Sequence, residues 1–486
     1  MNQTSLIADL TRAVGAENIL TDPDELMAYE CDGFPIAKGV PAAVVFPTST
    51  EQVAGCVRAA GRHGVEIVPR GTGTGLTGAA VAYDRGVIIC TSRMRRILSI
   101  DIANRVACVE AGVRNVELSE HVARQPGGAR LHFAPDPSSQ RASTIGGNTA
   151  TNAGGLHTLK YGVTTNHVLG MEMVLADGSV LQTRCGALHD GVGPDLPRLI
   201  CGSEGTLGVI TKIWVRLTHN PTTFRTAVAI FESSVDCSRT VAAIIGAGIV
   251  PAALEMMDGP MVRCVEEAYH FGFPLDAAAL LLIELDGVEA TLDEQMDQVV
   301  DLCRRNQARD VRRSDDPARR ADLWSARKKA FGAVGRISPS YCTQDACIPR
   351  STLPQVLEHV CDVGKKYGLT ITNVFHAGDG NIHPIILFDE ADPAQVEATI
   401  RASYEILEYC IALGGALSGE HGIGVEKLPL MARMFDSQTM STFQALKGAF
   451  DPDQRINAGK KLPSDKIQVE LLHPVGAGMP GGAMVA

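Results

Sequence analysis

The sequence predicts an α+β protein made of two successive α+β domains, and three observations support this class. Short apolar runs typical of strands alternate with segments in which apolar residues recur at helical spacing. A glycine-rich loop occupies residues 69–78, directly after one of the predicted strands. A polar hinge at residues 218–220, followed by Pro221, marks the expected domain boundary. At 486 residues the chain is also too long for a single hydrophobic core.

Composition and charge exclude several classes of protein. A hydrophobic content of 45% and a charged content of 20% are typical of globular chains. The formal net charge of −11, without a long basic run, argues against a nucleic-acid-binding surface. None of the 13 cysteines belongs to a Cys-x-x-Cys pair, so we expect neither a zinc ribbon nor an iron–sulfur cluster in this chain. The N-terminus lacks a secretory signal, and no apolar run is long enough to span a bilayer, which predicts a cytoplasmic protein without a direct membrane span.

The first predicted domain covers residues 1–219 and carries a helical arm at its N-terminus. Strand-like runs at residues 42–46 and 65–68 flank a helix that begins at the capping sequence Ser49-x-x-Gln52. Further strands are expected at residues 87–90, 106–109 and 168–176. These elements surround the glycine-rich loop, so the domain is expected to hold a ligand.

The second predicted domain covers residues 220–465, and its end is expected to return to the first domain. Its strands and helices alternate: strands at 227–231, 280–287 and 371–378, and helices at 236–247, 291–305, 354–367 and 394–413. The dense mixed charges of residues 304–320 are typical of a solvated helix face and turn. Residues 466–486, rich in Gly, Pro and Met, are expected to form a flexible tail.

The glycine-rich loop matches the G-x-G-x-x-G pattern of a dinucleotide fold at Gly73–Gly78, but its context does not. A Rossmann loop opens a helix and is followed about 20 residues later by an acid for the ribose. Here the strand at residues 87–90 follows too soon and ends without an acid, which argues against NAD. Four glycines within Gly71–Gly78 leave backbone N–H groups open, as a pyrophosphate site requires. A tight surface turn is the alternative that the loop alone leaves open.

Two later tracts, Pro135–Gly155 and Cys201–Thr211, change this interpretation. Together with the loop they resemble the FAD-binding domain of the vanillyl-alcohol oxidase/p-cresol methylhydroxylase superfamily. The resemblance implies a two-part p-cresol methylhydroxylase-type FAD-binding domain, followed by an α+β substrate (cap) domain with an antiparallel sheet. It places the FAD diphosphate on the loop and the two ends of the cofactor on the later tracts. Residues 69–80 and 135–155 have no His or Cys at the attachment positions, which implies non-covalent FAD. The implied cofactor-binding residues are Pro69, Arg70, Gly71, Thr72, Gly73, Thr74, Gly75, Leu76, Asp136, Pro137, Ser143, Thr144, Gly147, Asn148, Thr151, Asn152, Gly154, Glu204, Gly205, Gly208, Val209 and Ile210.

A pair of histidines flanks a predicted hairpin in the second domain. Gly378-Asp-Gly-Asn381 lies between two apolar runs and predicts the turn. If the hairpin closes symmetrically, His376 faces His383 and both rings leave one face of the sheet, which suits a shared metal ion. Pro384 has no N–H to donate, so its strand is expected at an edge or beside a site.

The motif Ser418–Gly424 adds an acid, Glu420, and a third histidine, His421, in a glycine-framed turn. Two histidines and one carboxylate leave coordination positions open for a substrate. Histidines beside a turn also serve as caps or surface residues, and the residues alone leave this alternative open.

Residues of about 20–462 are similar to D-lactate dehydrogenase-, D-2-hydroxyglutarate dehydrogenase- and glycolate oxidase D-type flavoproteins, most closely to the last. The resemblance implies that His376, His383 and Glu420 bind a divalent metal, Zn or Mn/Fe. It further implies that His421 is the catalytic base and that Arg327 holds the substrate carboxylate. Dicarboxylate-specific relatives carry a threonine where this chain has Phe331, and a lysine that residues 330–364 lack. This departure favours a short monocarboxylate.

The predicted reaction is therefore FAD-dependent oxidation of a short 2-hydroxy acid, glycolate first, to the 2-oxo acid. His421 would accept the hydroxyl proton and the flavin would take the hydride. The resemblance implies that electrons pass on to partner subunits, a second flavin subunit and an iron–sulfur subunit, or to a quinone. Contact with the inner face of the cell membrane would then come through those partners. Two alternatives remain: a D-lactate dehydrogenase with a quinone or cytochrome acceptor, and a non-catalytic flavin-carrying subunit.

Overall fold

The computed structural model describes residues 3–83, 85–183, 192–314 and 316–464. The predicted tail, 466–486, lies outside these residues. In the first part of the chain the helices are α1 (Gln3–Val14), α2 (Pro23–Leu26), α3 (Thr50–Arg62), α4 (Asn115–Ala123), α5 (Ile145–Thr151), α6 (Thr158–Tyr161) and α7 (Leu196–Ile200). The strands there are β1 (Ile19–Leu20), β2 (Ala43–Val45), β3 (Ile67–Arg70), β4 (Val87–Cys90), β5 (Ile97–Asp101), β6 (Val106–Glu110), β7 (Leu131–His132), β8 (Val168–Val174), β9 (Val180–Gln182), β10 (Val209–Arg216) and β11 (Thr218–His219).

The second part of the chain forms longer elements. Its helices are α8 (Ser234–Gly246), α9 (Gly259–Tyr269), α10 (Glu289–Arg305), α11 (Pro317–Lys328), α12 (Ala330–Val334), α13 (Leu353–Tyr367), α14 (Pro393–Ala412), α15 (Met431–Met434) and α16 (Ser437–Phe450). Its strands are β12 (Thr223–Phe231), β13 (Ala253–Asp258), β14 (Ala279–Gly287), β15 (Asp310–Ser314), β16 (Ser340–Thr343), β17 (Ala346–Cys347), β18 (Thr370–His376) and β19 (Asn381–Phe388). Single 3₁₀ turns lie at Ala16–Asn18, Met27–Tyr29, Thr91–Arg93, Gly128–Arg130, Thr164–Asn166, Arg350–Thr352 and Leu428–Leu430.

Two main sheets organise the first part. The smaller sheet has the order β1-β2-β4-β3, in which β2 and β3 both run parallel to β4. The predicted strand–helix–strand unit is therefore confirmed as β2-α3-β3, with β4 inserted between its strands. Helix α3 begins after Ser49, whose hydroxyl accepts a hydrogen bond from the Gln52 N–H at 3.3 Å. The other sheet is antiparallel and has the order β5-β6-β10-β8-β9, and a short β7–β11 pair lies beside it.

One antiparallel sheet organises the second part, in the order β15-β12-β14-β13-β18-β19-β16, with β17 also paired to β19. Its central strands are apolar on both faces because helices cover both. In β12, Ala227, Ala229 and Phe231 face the cluster packed by α8, α10, α13 and α14. Val228 and Ile230 face α9, α11 and α12 on the other side. The predicted α+β class with an antiparallel second sheet is confirmed.

The charge-rich stretch of residues 304–320 was predicted as a helix face and turn, and this prediction is wrong in its middle. Asp310–Ser314 forms the edge strand β15, which pairs with β12 from Thr226 to Ile230. The backbone of β12 offers hydrogen bonds to this segment, and the local sequence alone does not predict that pairing. Charged side chains are favourable there because an edge strand leaves them in solvent.

The predicted hairpin forms as β18–β19, but its symmetric register is wrong. His376 pairs with Asn381, and His383 pairs with Val374. The turn therefore holds the four residues between His376 and Asn381. The offset preserves the alternation of side chains, so His376 and His383 still leave the same face, as diagonal neighbours. Pro384 lies in an interior strand, beside the place where β16 gives way to β17.

The end of the described chain returns to the first sheet. Ile456 forms a bridge to Ile67 of β3, and the Lys460 ammonium contacts the Glu66 carboxylate at 2.7 Å. The domain limits given above stay a prediction. Among the helices of the described residues, none is both long enough and apolar enough to cross a membrane.

Candidate functional site

A cavity of about 360 Å³ joins the glycine-rich tracts to the histidine hairpin. Nineteen of the 22 predicted cofactor-binding residues line it, together with the four residues of the predicted metal site and base. These are Pro69, Arg70, Gly71, Thr72, Gly73, Thr74, Gly75, Leu76, Pro137, Ser143, Thr144, Gly147, Asn148, Thr151, Glu204, Gly205, Gly208, Val209 and Ile210, then His376, His383, Glu420 and His421. The structure therefore brings together motifs that lie as far apart as residues 69 and 421.

The glycine-rich loop leaves β3 as an irregular cradle. Gly73 and Gly78 adopt φ values of +73° and +75°, which favour glycine. A Cβ on Gly71 would lie 2.6 Å from the Thr144 hydroxyl, so only glycine lets the first two tracts approach this closely. In the described residues between β3 and β4 the loop opens no helix, which agrees with the argument against a Rossmann site.

The second tract contributes buried polar atoms to the same wall. Thr144 caps α5 by accepting a hydrogen bond from the Gly147 N–H at 3.1 Å. The Ser143 hydroxyl and the Asn148 amide nitrogen are buried, line the cavity and have no hydrogen-bond partner among the described residues. Buried donors require a partner. Together with the open glycine backbone, they fit a long polar ligand such as FAD.

Three predicted cofactor-binding residues, Asp136, Asn152 and Gly154, do not line the cavity. The Asp136 carboxylate accepts a hydrogen bond from His157 Nδ1 at 2.7 Å. Asn152 ends α5 in the left-handed region, with φ of 56°. Gly154 packs against Glu420, because a Cβ there would lie 2.7 Å from Glu420 Oε2. Each of these residues is close in sequence to residues that line the cavity, so the sequence does not show which of them face it.

Other lining residues were not among the predicted site residues. They are Asp32, Ala79, Ala80, Thr91, Ala111, Ser138, Ser139, Gly146, Ala150, Ala153, Lys328, Phe331, Tyr341 and Thr343. Most are small residues without a distinctive pattern. Asp32 has a clear role, since its carboxylate accepts hydrogen bonds from the N–H groups of Gly78 at 3.2 Å and Ala80 at 3.3 Å. Burial raises the pKa of Asp32 to about 6, against the effect of these bonds.

The two hairpin histidines and Glu420 form a compact set of possible metal ligands. Nε2 of His376 and Nε2 of His383 each lie 3.2 Å from the same oxygen of Glu420. The two rings are nearly perpendicular, with centroids 5.1 Å apart. One ligand atom from each residue lies within 4.8 Å of the other two. Two imidazoles and one carboxylate with open positions fit a catalytic divalent cation.

The buried charges of His376 and Glu420 compensate each other. Burial disfavours a charge on His376, but Glu255 and Glu420 outweigh it and hold the pKa of His376 well above its ordinary value. Burial also disfavours the charge on Glu420, and His376 and His383 outweigh it and hold the pKa of Glu420 well below its ordinary value. The acid is therefore ionised and available as a ligand at neutral pH.

The turn Ser418–Gly424 is held by a buried carboxylate, Asp345, in the segment between β16 and β17. Asp345 accepts hydrogen bonds from the N–H groups of Gly419, Glu420 and His421 at 3.0–3.3 Å. It also accepts one from the Ser418 hydroxyl at 2.6 Å. The Lys427 ammonium, fully buried, lies 3.1 Å away and compensates the charge. This network fixes the backbone that presents Glu420 and His421.

His421 differs from its two histidine neighbours in its protonation. Its ring stacks on His383, with centroids 4.8 Å apart and planes inclined by 20°. Burial lowers the pKa of His421 to about 4. The imidazole is therefore neutral near pH 7 and can accept a proton. Its Nε2 lies 3.9 Å from the nearest Glu420 oxygen, farther than those of the two hairpin histidines.

Arg327, the predicted carboxylate-binding residue, lies behind the cavity wall. The side chain is 1% exposed and belongs to α11, whereas its neighbour Lys328 lines the cavity. Its Nε donates to Glu255 Oε2 at 2.8 Å. Nη1 and Nη2 are buried and have no hydrogen-bond partner among the described residues, although Nη2 lies 2.7 Å from Glu255 Oε2 in an ion pair. One edge of the guanidinium is thus bound, and the other has a donor to offer.

Comparison with known proteins extends these observations. The C-terminal domain of FAD linked oxidases matches residues 220–461, and the FAD binding domain matches residues 41–184. The chain is 44% identical over 464 residues to the glycolate oxidase subunit GlcD of Escherichia coli (strain K12), covering 96% of this chain and 92% of the relative. It is 31% identical to the mitochondrial D-lactate dehydrogenase (cytochrome) of Arabidopsis thaliana, covering 94% and 80%. Among solved structures, p-cresol methylhydroxylase with substrate bound aligns with a TM-score of 0.81 at 20% identity, covering 96% of this chain and 98% of that one, which confirms the predicted fold.

Proposed function

We propose, from the premise that this chain belongs to the FAD-linked oxidase family and is an FAD-dependent oxidoreductase, that it oxidises a short 2-hydroxy monocarboxylic acid to the 2-oxo acid. Glycolate is the first choice of substrate. The observation that carries the proposal is a single cavity that joins the glycine-rich cradle to the cluster of His376, His383, Glu420 and His421. A flavin-carrying scaffold without catalysis would not need that cluster.

The cofactor would lie along the three glycine-containing tracts. The open backbone of residues 71–75 and the unpartnered Ser143 and Asn148 side chains would receive its polar groups. FAD bound there would supply the two-electron acceptor of the reaction. The motifs offer no attachment residue, so binding is proposed to be non-covalent.

A divalent cation, Zn or Mn/Fe, is proposed at the cluster of His376, His383 and Glu420. Bound there, it would act as a Lewis acid that lowers the pKa of the substrate hydroxyl. His383 Nδ1 lies 3.3 Å from the Gln344 carbonyl, which orients its Nε2 toward the cluster.

His421 and Arg327 complete the proposed reaction. The neutral His421 imidazole would accept the hydroxyl proton, because it borders the cluster and burial, which lowers its pKa, keeps it unprotonated near pH 7. A guanidinium binds a carboxylate through paired hydrogen bonds, and the unpartnered Nη1 of Arg327 is available for one. Phe331 and Tyr341 line the cavity with aromatic rings, which favours a short substrate without a second carboxylate.

The acceptor and partners are proposed from the relatives. The Escherichia coli relative is named as a subunit of glycolate oxidase. We infer partner subunits for this chain, a second flavin subunit and an iron–sulfur subunit, with a quinone as the alternative acceptor. A cytoplasmic location with membrane contact only through partners is consistent with this. D-Lactate is the second candidate substrate, since the Arabidopsis relative is named for it.

Anaerobic bleaching of the bound flavin tests the proposal. Purified protein is mixed with glycolate, D-lactate, L-lactate or D-2-hydroxyglutarate, and the flavin absorbance is followed. Bleaching by glycolate supports the first choice, and faster bleaching by D-lactate supports the second. Ethylene glycol, which has the hydroxyl but no carboxylate, is the matched control and should leave the flavin oxidised. Failure of every 2-hydroxy acid to bleach the flavin would overturn the proposal.

A further inference from the structure

We propose that Glu255 is a positioning residue that joins the substrate-holding arginine to the metal-binding histidine, so that both are oriented by one carboxylate. The inference rests on the proposed function, since it concerns Arg327 and His376. Glu255 is not among the predicted site residues and does not line the cavity. It would act through its two neighbours without touching the substrate.

Strand pairing places Glu255 directly beside one of these neighbours. In the register of β13 and β18, Glu255 is the partner of His376. Directly paired residues leave the sheet on the same face with close Cβ atoms. Glu255 Oε1 lies 2.8 Å from His376 Nδ1. An ionised carboxylate can only accept a hydrogen bond, so Nδ1 carries the proton and donates.

This bond decides how His376 presents its ring. With Nδ1 turned toward Glu255, Nε2 points to Glu420, at 3.2 Å from Oε1. Nε2 is the atom that a cation at the cluster would need. A carboxylate behind a ligating histidine fixes the ring orientation and the protonated nitrogen in this way.

The other oxygen of Glu255 orients the arginine. Oε2 accepts from Arg327 Nε at 2.8 Å and lies 2.7 Å from Nη2. The guanidinium is planar, so binding of the Nε–Nη2 edge fixes the direction of Nη1. Neither Nη1 nor Nη2 has a hydrogen-bond partner among the described residues, but Nη2 forms the ion pair with Glu255, so Nη1 is the donor that Glu255 leaves open. Glu255 therefore binds one edge of the guanidinium and leaves Nη1 to donate to a second anionic group.

A fold-stabilising ion pair is the competing explanation, and a neighbouring residue shows what that looks like. Glu284 of β14 is also fully buried, and it pairs with Arg320 at 2.6 and 2.7 Å. Its network, however, contains no residue that lines the cavity. Glu284 thus offers a matched control: the same residue type, similar burial and a bound arginine, in the same sheet.

The test compares wild-type protein, Glu255→Gln and Glu284→Gln in the full chain. Three quantities are measured for each: FAD per chain, affinity for Zn²⁺ by competition with a chelating dye, and affinity for oxalate by perturbation of the flavin spectrum. Glutamine keeps the size of the side chain but replaces one accepting oxygen with a donor. We expect Glu255→Gln to keep FAD and to lose about 10-fold or more in affinity for both Zn²⁺ and oxalate. Glu284→Gln should stay within about 2-fold of the wild type for both ligands, because its network does not reach the cluster.

Several results would overturn the inference. Wild-type affinities for Zn²⁺ and oxalate in Glu255→Gln would overturn it. Equal losses of affinity in Glu255→Gln and Glu284→Gln would also overturn it, because they would show that any disturbance of a buried ion pair weakens binding. If Glu255→Gln fails to fold, Glu255→Asp replaces it. The shorter side chain cannot hold Arg327 and His376 together, so wild-type affinities for both ligands in Glu255→Asp would also overturn the inference. Absence of flavin bleaching in wild-type protein would instead count against the proposed function, and the two affinities would still report on Glu255.

Discussion

The chemistry proposed for this chain depends on a difference between neighbouring histidines. His376 is held with its pKa well above the ordinary value by two carboxylates, whereas burial lowers the pKa of His421 to about 4. In the proposed site the first ring, oriented by Glu255, would give up its Nε2 proton when a cation binds and would then serve as a ligand. The second ring is neutral and borders the cluster, where it would accept the proton of the substrate hydroxyl. Two roles thus follow from the environments of one residue type.

Replacing His421 with Ala should slow flavin reduction by about 10²-fold or more, because the general base is removed. FAD content should not change, since His421 lies at the hairpin end of the cavity. Anaerobic stopped-flow measurement of flavin absorbance with saturating glycolate gives the rate. Reduction at the wild-type rate would rule out His421 as the base.

Replacing His376 with Ala should remove most of the bound divalent metal while FAD stays bound. Two ligands would remain, one fewer than the three protein ligands that catalytic zinc sites use. Elemental analysis of metal per flavin in the purified protein measures the loss. His359→Ala is the control, because His359 stacks on Tyr409 and does not line the cavity. Equal metal content in His376→Ala and wild-type protein would contradict the assignment.

At the scale of elements, the turn Ser418–Gly424 depends on Asp345. Asp345→Asn replaces one accepting oxygen with an amide donor that faces backbone N–H groups and leaves the Lys427 charge uncompensated. We expect a loss of about 3–5 kcal/mol in unfolding free energy and weaker metal binding, because Glu420 loses its fixed position. Chemical denaturation and metal analysis measure the two effects.

Asp451→Asn provides the matched control for that substitution. Asp451 is likewise fully buried, and it accepts hydrogen bonds from Lys447 at 2.6 Å and the Ile456 N–H at 2.7 Å, away from the cavity. It should lower stability without changing metal content. If both variants lose stability but both keep the metal, Asp345 supports only the fold.

Elements with a strong pattern could be predicted from the sequence, and elements set by pairing could not. The helix α13 was expected at residues 354–367 and lies at Leu353–Tyr367, because its apolar spacing is regular. The strand β15 was missed because its charged residues carry no apolar alternation, and only the open edge of β12 makes it a strand. The hairpin register likewise depends on how the turn closes. Asp345 and Glu255 were not among the predicted site residues, because their importance appears only when distant strands are brought together.

At the scale of the whole molecule, the cavity exists because the two parts of the chain close on each other. Glu204, beside the glycine cradle, accepts hydrogen bonds from the N–H groups of Ile423 at 2.8 Å and Gly424 at 2.7 Å. Its backbone is in the left-handed region, with φ of 55°. A residue that lines the cradle therefore also anchors the turn that carries Glu420 and His421. The two ends of the cavity that are proposed to hold the flavin and the hydroxy acid are fixed relative to each other by the same contact.

A second connection between the two parts makes the stability of the molecule pH-dependent. His157 lies 2.7 Å from the Asp136 carboxylate and 3.6 Å from that of Glu284, across the junction. Burial disfavours its charge, but the two carboxylates outweigh this and raise the pKa of His157 to about 10. In the unfolded chain a histidine has a pKa of about 6.5. The protonated ring therefore stabilises the folded state fully below about pH 6.5 and loses this effect as the pH rises toward 10.

The pH profile of His157→Gln tests this connection. Glutamine keeps a polar side chain but cannot become charged, so the wild-type protein should melt higher than the variant at pH 6. The difference should shrink by at least about half by pH 10, because the wild-type ring becomes neutral there. Groups that titrate above pH 9 in both proteins cancel in the difference. A difference in Tm that stays constant from pH 6 to pH 10 would show that His157 contributes packing alone, and that its charge does not hold the two parts together.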